Sequence, residues 1–421
     1  MTDATGHHTP EAISDVVHTG CAIVGGGPAG MVLALLLARQ GIDTTLLEAH
    51  HDFDRDFRGD TVHPSTLEVL DQIGLAQRVL ALPHGKVRSL ELITPERTVT
   101  IANLSRLKTP FPFVTMLPQV HLLNLLAEEA QKFPNFHLVL GANVQRLLND
   151  GGRVCGVQYR GADSAWHEVR APLTVAADGR FSKLRSLADL TPQATAPPMD
   201  VVWFRLPRRP GDPEDRGAIY VKGGHFAAVL DRADNWQIGF AILKGSFREL
   251  RQQSIEALRA AMADVVPWMA DRVNGLTDWA QVSVLSVESS RLAKWHLPGL
   301  LFIGDAAHVM SPVGGVGINC AIQDAVEAAN ALRLPLKSHR ITDDDLAAIQ
   351  RRREPAIRVV QRIQAYLQRR IAAPALRPGT SFRPPLLLQI GQYIPVLRNL
   401  PAKMLAFGPR RVRIEHPKPS E

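Results

Sequence analysis

The sequence predicts an α/β protein in which a parallel-sheet domain is interrupted by a β-rich domain and followed by a helical extension. Near the N-terminus, an apolar run, a glycine cluster, a helical stretch and a second apolar run follow one another within residues 21–48. This order is that of a βαβ unit. Between residues 200 and 290 the pattern changes to short alternating segments typical of strands, and the strand–helix pattern returns at residues 300–332.

The first unit carries a dinucleotide-binding pattern. The apolar run 21–24 breaks into Gly25-Gly26-Gly27-Pro28-Ala29-Gly30, a G-x-G-x-x-G sequence that opens the helix. Gly25 permits the tight turn, Gly27 lets the backbone approach a pyrophosphate, and Gly30 permits close helix–strand packing. The pyrophosphate charge then lies at the helix N-terminus. Glu48 ends the second strand, 18 residues past Gly30, where it can accept hydrogen bonds from an adenosine ribose.

Helices are expected next at residues 64–74, with Ser65 as the N-cap, and at residues 119–132. The cap is inferred because Glu68 follows Ser65 at the spacing of a capping box. Short strands are expected over residues 138–177, with Gly151-Gly152 as a turn.

Changes of pattern also set the expected domain boundaries. A proline-rich break at residues 191–199 ends the first domain, and one amphipathic helix at 254–265 interrupts the strands that follow. The expected division is a discontinuous Rossmann-like nucleotide-binding domain (1–190 and 285–350), a β-rich substrate domain (191–284) and a basic C-terminal helical extension (351–421).

A second glycine-rich motif follows the returning strand at residues 300–303. Gly304-Asp305-Ala306-Ala307-His308 comes first, and Pro312 and Gly314-Gly315-Val316-Gly317-Ile318-Asn319 then open a helix. A carboxylate at the C-terminal end of a parallel strand lies where α/β sheets bind ligands, so Asp305 is within reach of a sugar-alcohol chain. The positive end of the helix near Gly317 favours negative charge beyond it.

A third motif, Ala177-Asp178-Gly179-Arg180, follows a strand at residues 173–176 and precedes Ser182 and Arg185. By itself an Asp-Gly pair is an ordinary turn. The residues alone therefore do not distinguish a ligand-binding role of Asp178 from an ordinary turn.

Composition and charge limit the classes of function that this chain can have. The chain has 421 residues, 45% hydrophobic and 21% charged, as expected for two packed globular domains. Its formal charge is +7, but residues 351–421 hold 15 Lys/Arg and 3 Asp/Glu, a net +12, which leaves −5 for residues 1–350. An acidic body argues against a nucleic-acid partner, since such proteins need basic residues across the binding face.

Three scattered cysteines, Cys21, Cys155 and Cys320, predict neither a metal site nor a disulfide framework and fit a reducing cytoplasm. We expect no signal peptide at the N-terminus. No stretch reaches the roughly 18 apolar residues of a membrane span.

With these three motifs in this order and spacing, the sequence resembles the flavoprotein aromatic hydroxylases, the group A monooxygenases that include para-hydroxybenzoate hydroxylase. The resemblance extends to about residue 370 and implies that the bound dinucleotide is FAD. It implies ADP-binding roles for Gly25, Gly27, Pro28, Ala29, Gly30 and Glu48. It also implies a ribityl-binding role for Asp305 and an isoalloxazine loop that includes Pro312, Gly315, Gly317, Ile318 and Asn319.

Three further residues have counterparts in this family. Arg58, within Phe57-Arg58-Gly59-Asp60, and Gln119 resemble its flavin-contacting arginine and glutamine. Asp178 resembles the acid of its Asp-Gly motif, which serves FAD and nicotinamide docking. Taken without the resemblance, Arg58 is better interpreted as a surface charge and Gln119 as a helix-capping residue. His308 is expected to pack beside the flavin loop rather than to act as an acid or base.

The resemblance implies an FAD-dependent monooxygenase with noncovalent FAD and with NADPH or NADH as a transient electron donor. Dioxygen would be used, through a flavin hydroperoxide, to hydroxylate an electron-rich small molecule of aromatic or polyketide-like character. Only one dinucleotide pattern is present and no redox cysteine pair, unlike a flavin disulfide reductase. No catalytic acid or base is identified from the sequence.

The β-rich domain is expected to contribute the substrate pocket. Candidate lining residues on its strands are Trp203, Arg205, Tyr220, Phe226, Trp236 and Phe240, although strand alternation sends some of them to the core. Two other functions stay open: a flavin-dependent reductase or oxidase on the same scaffold without oxygen insertion, and a flavin-bearing binding protein that recruits a membrane or partner.

The C-terminal segment has two interpretations. Residues 384–406 contain apolar clusters, and Arg398, Lys403, Arg410, Arg411 and Arg413 interleave with or follow them. Such a segment can make a weak contact with an anionic membrane surface. Alternatively, it can pack on the nucleotide-binding domain. The prolines at 384, 385, 395 and 401 favour this second interpretation, because they break any long amphipathic helix. The expected location is therefore cytoplasmic, at most peripheral at the membrane, and the oligomeric state is left open.

Overall fold

The computed structural model of the chain describes residues 13–54, 59–377, 382–385, 394 and 398–415. Up to residue 190 its strands and α-helices are β1 Ile13–His18, β2 Cys21–Val24, α1 Pro28–Arg39, β3 Thr44–Glu48, β4 Thr61–Val62, α2 Pro64–Gln72, α3 Ala76–Leu80, β5 Gly85–Val87, β6 Ser89–Ile93, β7 Thr98–Asn103, β8 Val114–Met116, α4 Gln119–Ala130, β9 Phe136–Leu140, β10 Asn143–Asp150, β11 Arg153–Arg160, β12 Trp166–Arg170, β13 Thr174–Ala176 and α5 Lys183–Leu187.

The later elements are β14 Gln193–Thr195, β15 Met199–Pro207, β16 Arg216–Lys222, β17 His225–Asp231, β18 Asn235–Leu243, α6 Phe247–Gln253, α7 Ile255–Val265, β19 Ser283–Leu285, β20 Ser289–Arg291, β21 His296–Leu297, β22 Leu300–Phe302, β23 His308–Val309, α8 Gly317–Lys337, α9 Asp343–Leu367, α10 Ala373–Ala375 and α11 Leu400–Phe407. A π-helical turn, Gln368–Ala372, joins α9 to α10. In the part of the chain that the structure describes, no helix is both long and apolar enough to cross a membrane.

A six-stranded sheet forms the core of the nucleotide-binding domain. Its strand order is β21-β22-β13-β2-β3-β9, and every pair is parallel except β21 with β22. Helices α1, α4 and α8 pack on one face. Strands β10, β11 and β12 and helix α9 pack on the other. Because both faces are covered, the central strands are continuous apolar runs, which is why they are recognisable in the sequence.

The second large sheet has seven strands in the order β19-β15-β18-β17-β16-β6-β7. Helix α7 packs on one face of it, where alternate residues of β15, β17 and β18 are buried. Strands β6 and β7 come from residues 89–103, and β6 pairs in parallel with β16. The sheet is therefore wider than the strands expected between residues 191 and 284, since a segment from much earlier in the chain completes its edge.

Three local expectations differ from the structure. Helix α2 begins at Pro64, and its N-cap is His63; the prediction of Ser65 as the cap is wrong. The reason is that a proline suits the first helical position, which places Ser65 inside the helix, where it is buried. Residues 13–18 form a strand parallel to β12, in a stretch where the sequence analysis expected no strand. Helix α9 runs across the boundary expected at residue 350.

Helix α9 is held to α8 by a buried ion pair. The Asp324 carboxylate accepts hydrogen bonds from Arg353 Nε at 2.7 Å and from the backbone N–H of Gly304 at 3.0 Å, and it lies 2.6 Å from His308 Nε2. The side chains of Asp324, Arg353 and His308 are at most 1% exposed. Burial opposes ionisation, but His308 and Arg353 hold the pKa of Asp324 below its usual value. His308 is thus packed, as expected, rather than facing solvent.

The described C-terminal residues also pack on earlier parts of the chain. Ala402, Ala406 and Phe407 of α11 lie in an apolar cluster with residues of β5, β7 and β8. His63 Nδ1 lies 2.6 Å from the carbonyl oxygen of Leu405. Burial lowers the pKa of His63 to about 4, so its ring is neutral near pH 7.

The buried pair gives a stability prediction. Replacing Arg353 by Met leaves the Asp324 carboxylate buried without its cation, which should lower the free energy of unfolding by about 3–5 kcal/mol. Unfolding in guanidinium chloride, followed by circular dichroism, measures this change.

Arg352→Met is the matched control for this measurement. Arg352 is 45% exposed and lies 3.7 Å from Glu327, so its loss should cost about 0–1 kcal/mol. Equal effects of the two substitutions would show that the Asp324–Arg353 pair does not hold α9 in place.

Candidate active site

The three glycine-containing motifs meet at one edge of the six-stranded sheet. They follow β2, β13 and β22, which are neighbours in the sheet, so their carboxyl ends lie side by side. A Cβ placed on Gly25 (φ +107°) would be 2.4 Å from the carbonyl oxygen of Ala177. Arg185 Nη1 donates to the carbonyl oxygen of Ala306 at 3.2 Å. The motifs are therefore in direct contact and form one surface.

The first loop presents an uncapped helix N-terminus. Gly27 is the N-cap of α1, Pro28 occupies its first turn, and no side chain caps the helix. A Cβ on Gly27 would meet no atom within 4 Å, whereas a Cβ on Gly30 would lie 2.0 Å from the carbonyl oxygen of Gly25. Gly30 and the buried Ala29 therefore serve packing. Gly27 leaves space next to N–H groups that suit an anion.

Glu48 is fixed beside this loop. Its carboxylate accepts hydrogen bonds from the backbone N–H groups of Gly26 at 2.8 Å and His50 at 2.9 Å. The residue is 7% exposed. A carboxylate has about four lone-pair positions, so Glu48 can accept ribose hydroxyls while it keeps these contacts.

Asp178 holds the Asp-Gly loop together. Its two carboxylate oxygens accept hydrogen bonds from Ser182 Oγ at 2.6 Å and from the backbone N–H of Leu184 at 3.0 Å. Burial raises the pKa of Asp178, and these hydrogen bonds oppose that rise. The contacts fix the start of α5 next to Gly25. The cofactor and nicotinamide roles that the resemblance implies for Asp178 stay predictions.

The loop after β22 contacts an earlier part of the nucleotide-binding domain. Asp305 lies partly buried in a 3₁₀ turn that starts at Gly304. Further along, Gly314 and Gly315 have φ values of +82° and +61°, a conformation that favours glycine. Thr61 Oγ1 donates to the carbonyl oxygen of Gly315 at 2.6 Å. This contact ties the loop after Pro312 to β4.

The start of α8 is also uncapped by any side chain, and Gly317 and Ile318 lie there partly exposed. Asn319 is instead 4% exposed. Its Oδ1 accepts from the His63 backbone N–H at 2.9 Å and Thr66 Oγ1 at 2.7 Å. Asn319 therefore joins α8 to α2, a role that the sequence did not predict.

Gln119 lies close to the start of α8. A Cβ on Gly59 would be 2.7 Å from Ile318 Cδ1 and 3.6 Å from Gln119 Nε2. Gly59, Gln119 and Ile318 are thus brought together, and the flavin contacts that the resemblance implies for Gln119 and Ile318 stay predictions. Arg58 lies outside the described residues.

The sequence analysis missed three glutamines that support this loop: Gln361 and Gln364 in α9, and Gln368 in the π-helical turn that follows it. Gln364 Nε2 donates to the carbonyl oxygens of Ser311 and Val313, both at 2.8 Å, and Gln368 Nε2 donates to Ser311 Oγ at 2.6 Å. Gln361 Nε2 donates to the carbonyl oxygen of Val309 at 3.2 Å. Their spacing of three and four residues, which places them on one helix face, is the signal that could have identified them.

The candidate pocket residues divide between the two faces of the seven-stranded sheet. Tyr220, Trp236 and Phe240 pack on the α7 side. Trp203 and Phe226 lie on the opposite side, in a cluster that includes Val313 of the flavin loop. Arg205 is two residues from Trp203 on β15 and shares that side. The sheet therefore turns only part of the expected set toward the loop.

These features fit FAD. Two helix N-termini without side-chain caps, the space at Gly27 and a fixed carboxylate at Glu48 match a pyrophosphate, a flavin ring and a ribose. A Cβ on Gly304 would lie 3.2 Å from the Cβ atoms of Ala29 in α1 and Ala321 in α8, so Asp305 comes directly after a glycine that lies between the two helices. FAD is long enough to need such separate contact points, and the sheet edge provides them in one surface.

The two glycines of the first loop give a contrasting prediction. Gly27→Ala should not change the stability of the flavin-free protein, because its φ of −70° suits alanine and the added methyl group meets no protein atom. It should weaken FAD binding by about 1–3 kcal/mol through lost hydrogen bonds to the pyrophosphate, roughly a 5- to 150-fold higher Kd.

Gly30→Ala is the companion variant, and it should instead destabilise the fold by about 1–3 kcal/mol through overpacking. Thermal unfolding of apoprotein and flavin content after gel filtration separate the two effects. Full flavin retention by Gly27→Ala would contradict the placement of the pyrophosphate.

Comparison with known proteins agrees with this site. The profile of the family described as FAD binding domain matches residues 18–363. The chain is 32% identical over 414 residues to 6-methylpretetramide 4-monooxygenase of Streptomyces rimosus, with 97% of each chain covered. It is 26% identical over 420 residues to protoasukamycin 4-monooxygenase of Streptomyces nodosus subsp. asukaensis, with 93% of this chain and 95% of that one covered.

A similar fold occurs in the crystal structure of p-nitrophenol 4-monooxygenase from Pseudomonas putida, with a TM-score of 0.75 and 20% identity over 94% of this chain and all of that one. The sequence match, its near-complete coverage and the site geometry agree with the resemblance found in the motifs. The chain belongs to the FAD-dependent aromatic-hydroxylase family, the group A flavoprotein monooxygenases.

Proposed function

We propose that this chain hydroxylates an aromatic or polyketide-like small molecule held between the flavin loop and the seven-stranded sheet. The observation that carries the proposal is that Val313, Trp203 and Phe226 all pack against one apolar cluster. The loop expected at the flavin ring therefore lies against one face of the sheet. One dioxygen and one NAD(P)H would be consumed, one oxygen atom entering the substrate and the other leaving as water.

Bound FAD would supply the electron transfer and the activation of dioxygen. The chain's own residues would hold it: the α1 N-terminus at Gly27 for the pyrophosphate, Glu48 for the ribose and Asp305 for the ribityl chain. The N-terminus of α8 at Gly317 and Ile318 would stabilise negative charge on the ring, because a helix N-terminus carries partial positive charge.

The sheet face opposite the loop would position the substrate and keep water away. Val201 and Ala241 on this face are buried, and Ile219, Phe226 and Ala228 are partly exposed apolar residues. An apolar lining limits water at the reacting centre. Orientation of the ring by this face would decide which carbon is hydroxylated.

The similarity along nearly the whole chain to a 6-methylpretetramide monooxygenase supports a substrate of related size and chemistry. Oxygen insertion is also favoured over the reductase or oxidase alternative by that relative and by the protoasukamycin enzyme, since the names of both specify monooxygenation.

The C-terminal segment is proposed to pack on the FAD-binding domain rather than on a membrane. Asn330 Nδ2 donates to the carbonyl oxygen of Arg413 at 2.8 Å, and the N–H of Ile414 donates to Gln72 Oε1 at 2.9 Å. With α11, these contacts support a docked extension. The apolar clusters at residues 386–393 and 395–397 lie outside the described residues. A cytoplasmic location is proposed from the free thiols of Cys21, Cys155 and Cys320.

The oxygen-insertion reaction has a direct test. Purified holoenzyme should oxidise NADPH or NADH slowly alone and faster with a suitable polyhydroxylated aromatic compound, because substrate binding is expected to complete the site. Under ¹⁸O₂ the product should carry one labelled oxygen by mass spectrometry. Stoichiometric hydrogen peroxide, with no labelled product from any compound that stimulates NAD(P)H oxidation, would favour the oxidase alternative.

The docked extension predicts no membrane affinity. The full chain should stay in the supernatant when sedimented with phosphatidylglycerol vesicles at low salt, with phosphatidylcholine vesicles as the uncharged control. Co-sedimentation with the anionic vesicles that disappears on raising the salt would instead support a membrane-surface contact, because such contacts are screened.

A further inference from the structure

The flavin-side face of the sheet, defined here by Val201, Trp203 and Arg205 of β15 and their partners Ala241, Gly239 and Gln237 of β18, changes character along its length. Its register pairs Val201 with Ala241, Trp203 with Gly239 and Arg205 with Gln237. The Val201 end packs on Ala372 and Leu376 near α10. The Arg205 end is polar. The Val201 end is therefore covered by the chain itself, whereas Arg205 is exposed, so a ligand would reach this face at its polar end.

Two polar atoms at the polar end are buried without partners. Among the described residues, neither Trp203 Nε1 nor Gln237 Oε1 has a hydrogen-bond partner. Gln237 is 5% exposed. Trp203 and Gln237 are diagonal neighbours across the β15–β18 pair, a spacing that one small molecule can bridge. A buried polar atom without a partner is unfavourable, so a ligand that satisfies both atoms would gain affinity.

Charged side chains lie close together at this end of the face. Arg232 Nε lies 2.9 Å from Asp60 Oδ2, and both residues are less than a tenth exposed. Arg205 adds a second guanidinium that acts on both of them. Burial raises the pKa of Asp60, while Arg232 and Arg205 oppose the rise. Asp234 also acts on Arg232. The two guanidinium groups at this end suit an anionic group on a ligand.

Trp203 also provides an aromatic surface. A Cβ on Gly239 would lie 2.9 Å from Trp203 Cζ3 and Cη2, so the indole lies against the sheet where only a glycine leaves room. The partly exposed Ala228 and Ile219 continue the face on the next strands. A flat ring can stack on such a surface.

Resting on the proposed function, we propose that Trp203, Arg205 and Gln237 recognise the polar edge of the substrate. The substrate class is an aromatic ring with an acidic hydroxyl next to a second hydrogen-bond donor, such as a carboxamide. The ionised hydroxyl accepts the Trp203 Nε1 hydrogen bond and faces the Arg205 charge, and its proton is released to water. The second donor bonds to Gln237 Oε1.

Three naphthalene compounds test this assignment by binding alone. 1-Hydroxy-2-naphthamide has both features, 1-methoxy-2-naphthamide lacks the acidic hydroxyl, and methyl 1-hydroxy-2-naphthoate lacks the N–H donor. Their Kd values for the holoenzyme are measured from the change in flavin absorbance. The wild type should bind the hydroxynaphthamide about tenfold more tightly than either analogue, the loss of one charged or buried hydrogen bond.

Single substitutions should remove each preference separately. Trp203→Phe and Arg205→Gln should lower the hydroxy-to-methoxy preference toward one, and Gln237→Met should do the same to the amide-to-ester preference. Trp236→Phe and Arg216→Gln are matched controls. Trp236 belongs to the α7 side of the sheet, where its Nε1 donates to Asp212, and Arg216 is exposed at the start of β16. Both controls should keep the wild-type preferences.

Flavin content and melting temperature are measured for every variant. Equal Kd values for the three compounds, no binding to the wild type, or preferences unchanged in the three variants would overturn the assignment. Loss of flavin from Trp203→Phe or Arg205→Gln would overturn it too, because that residue would then support the cofactor. If the preferences hold but no aromatic compound gives ¹⁸O-labelled product, the proposed function fails and the recognition site stands.

Discussion

The ligand-binding edge of this protein depends on one buried carboxylate, that of Asp324. It receives the backbone N–H of Gly304, lies against His308 and pairs with Arg353, and so connects the turn after β22 with α8 and α9. A buried charge is costly unless it is paired, which means that these groups are stable together only in this arrangement. The position of Asp305, one residue past Gly304, follows from it.

The strand order of the six-stranded sheet has a comparable consequence. Strand β2 lies in the middle and β13 separates it from β22, so three motifs that are about 150 and 125 residues apart in sequence end at one edge. The close approach of Gly25 to Ala177 then leaves no space between the first glycine motif and the Asp-Gly motif. A surface long enough for a dinucleotide is built from short turns because the sheet aligns them.

The C-terminal part of the chain supports the site instead of standing apart from it. Helix α9 contributes Arg353 to the Asp324 network, and Gln364 of α9 and Gln368 of the following π-helical turn hold the loop before α8. A loop with several glycines has little conformational preference of its own. External hydrogen bonds from a rigid helix therefore provide the order that a flavin-contacting loop needs. The basic charge of this region is thus partly structural, since Arg353 is buried.

The βαβ unit, the three motifs and the family can be recognised in the sequence alone, because the residues that identify each of them lie near one another in the chain. Glycine, helix start and terminal acid lie within 30 residues, and apolar runs with both faces covered can be read directly. Gly25 accordingly follows β2, Glu48 ends β3 and Gln119 begins α4, as the sequence predicted. Only tertiary structure decided that β6 and β7 complete the second sheet, that Arg353 is buried, and that Trp203 faces the flavin loop while Trp236 faces α7. Alternation assigns residues to two faces of a strand, but which face meets the flavin loop depends on packing between segments that are distant in the chain.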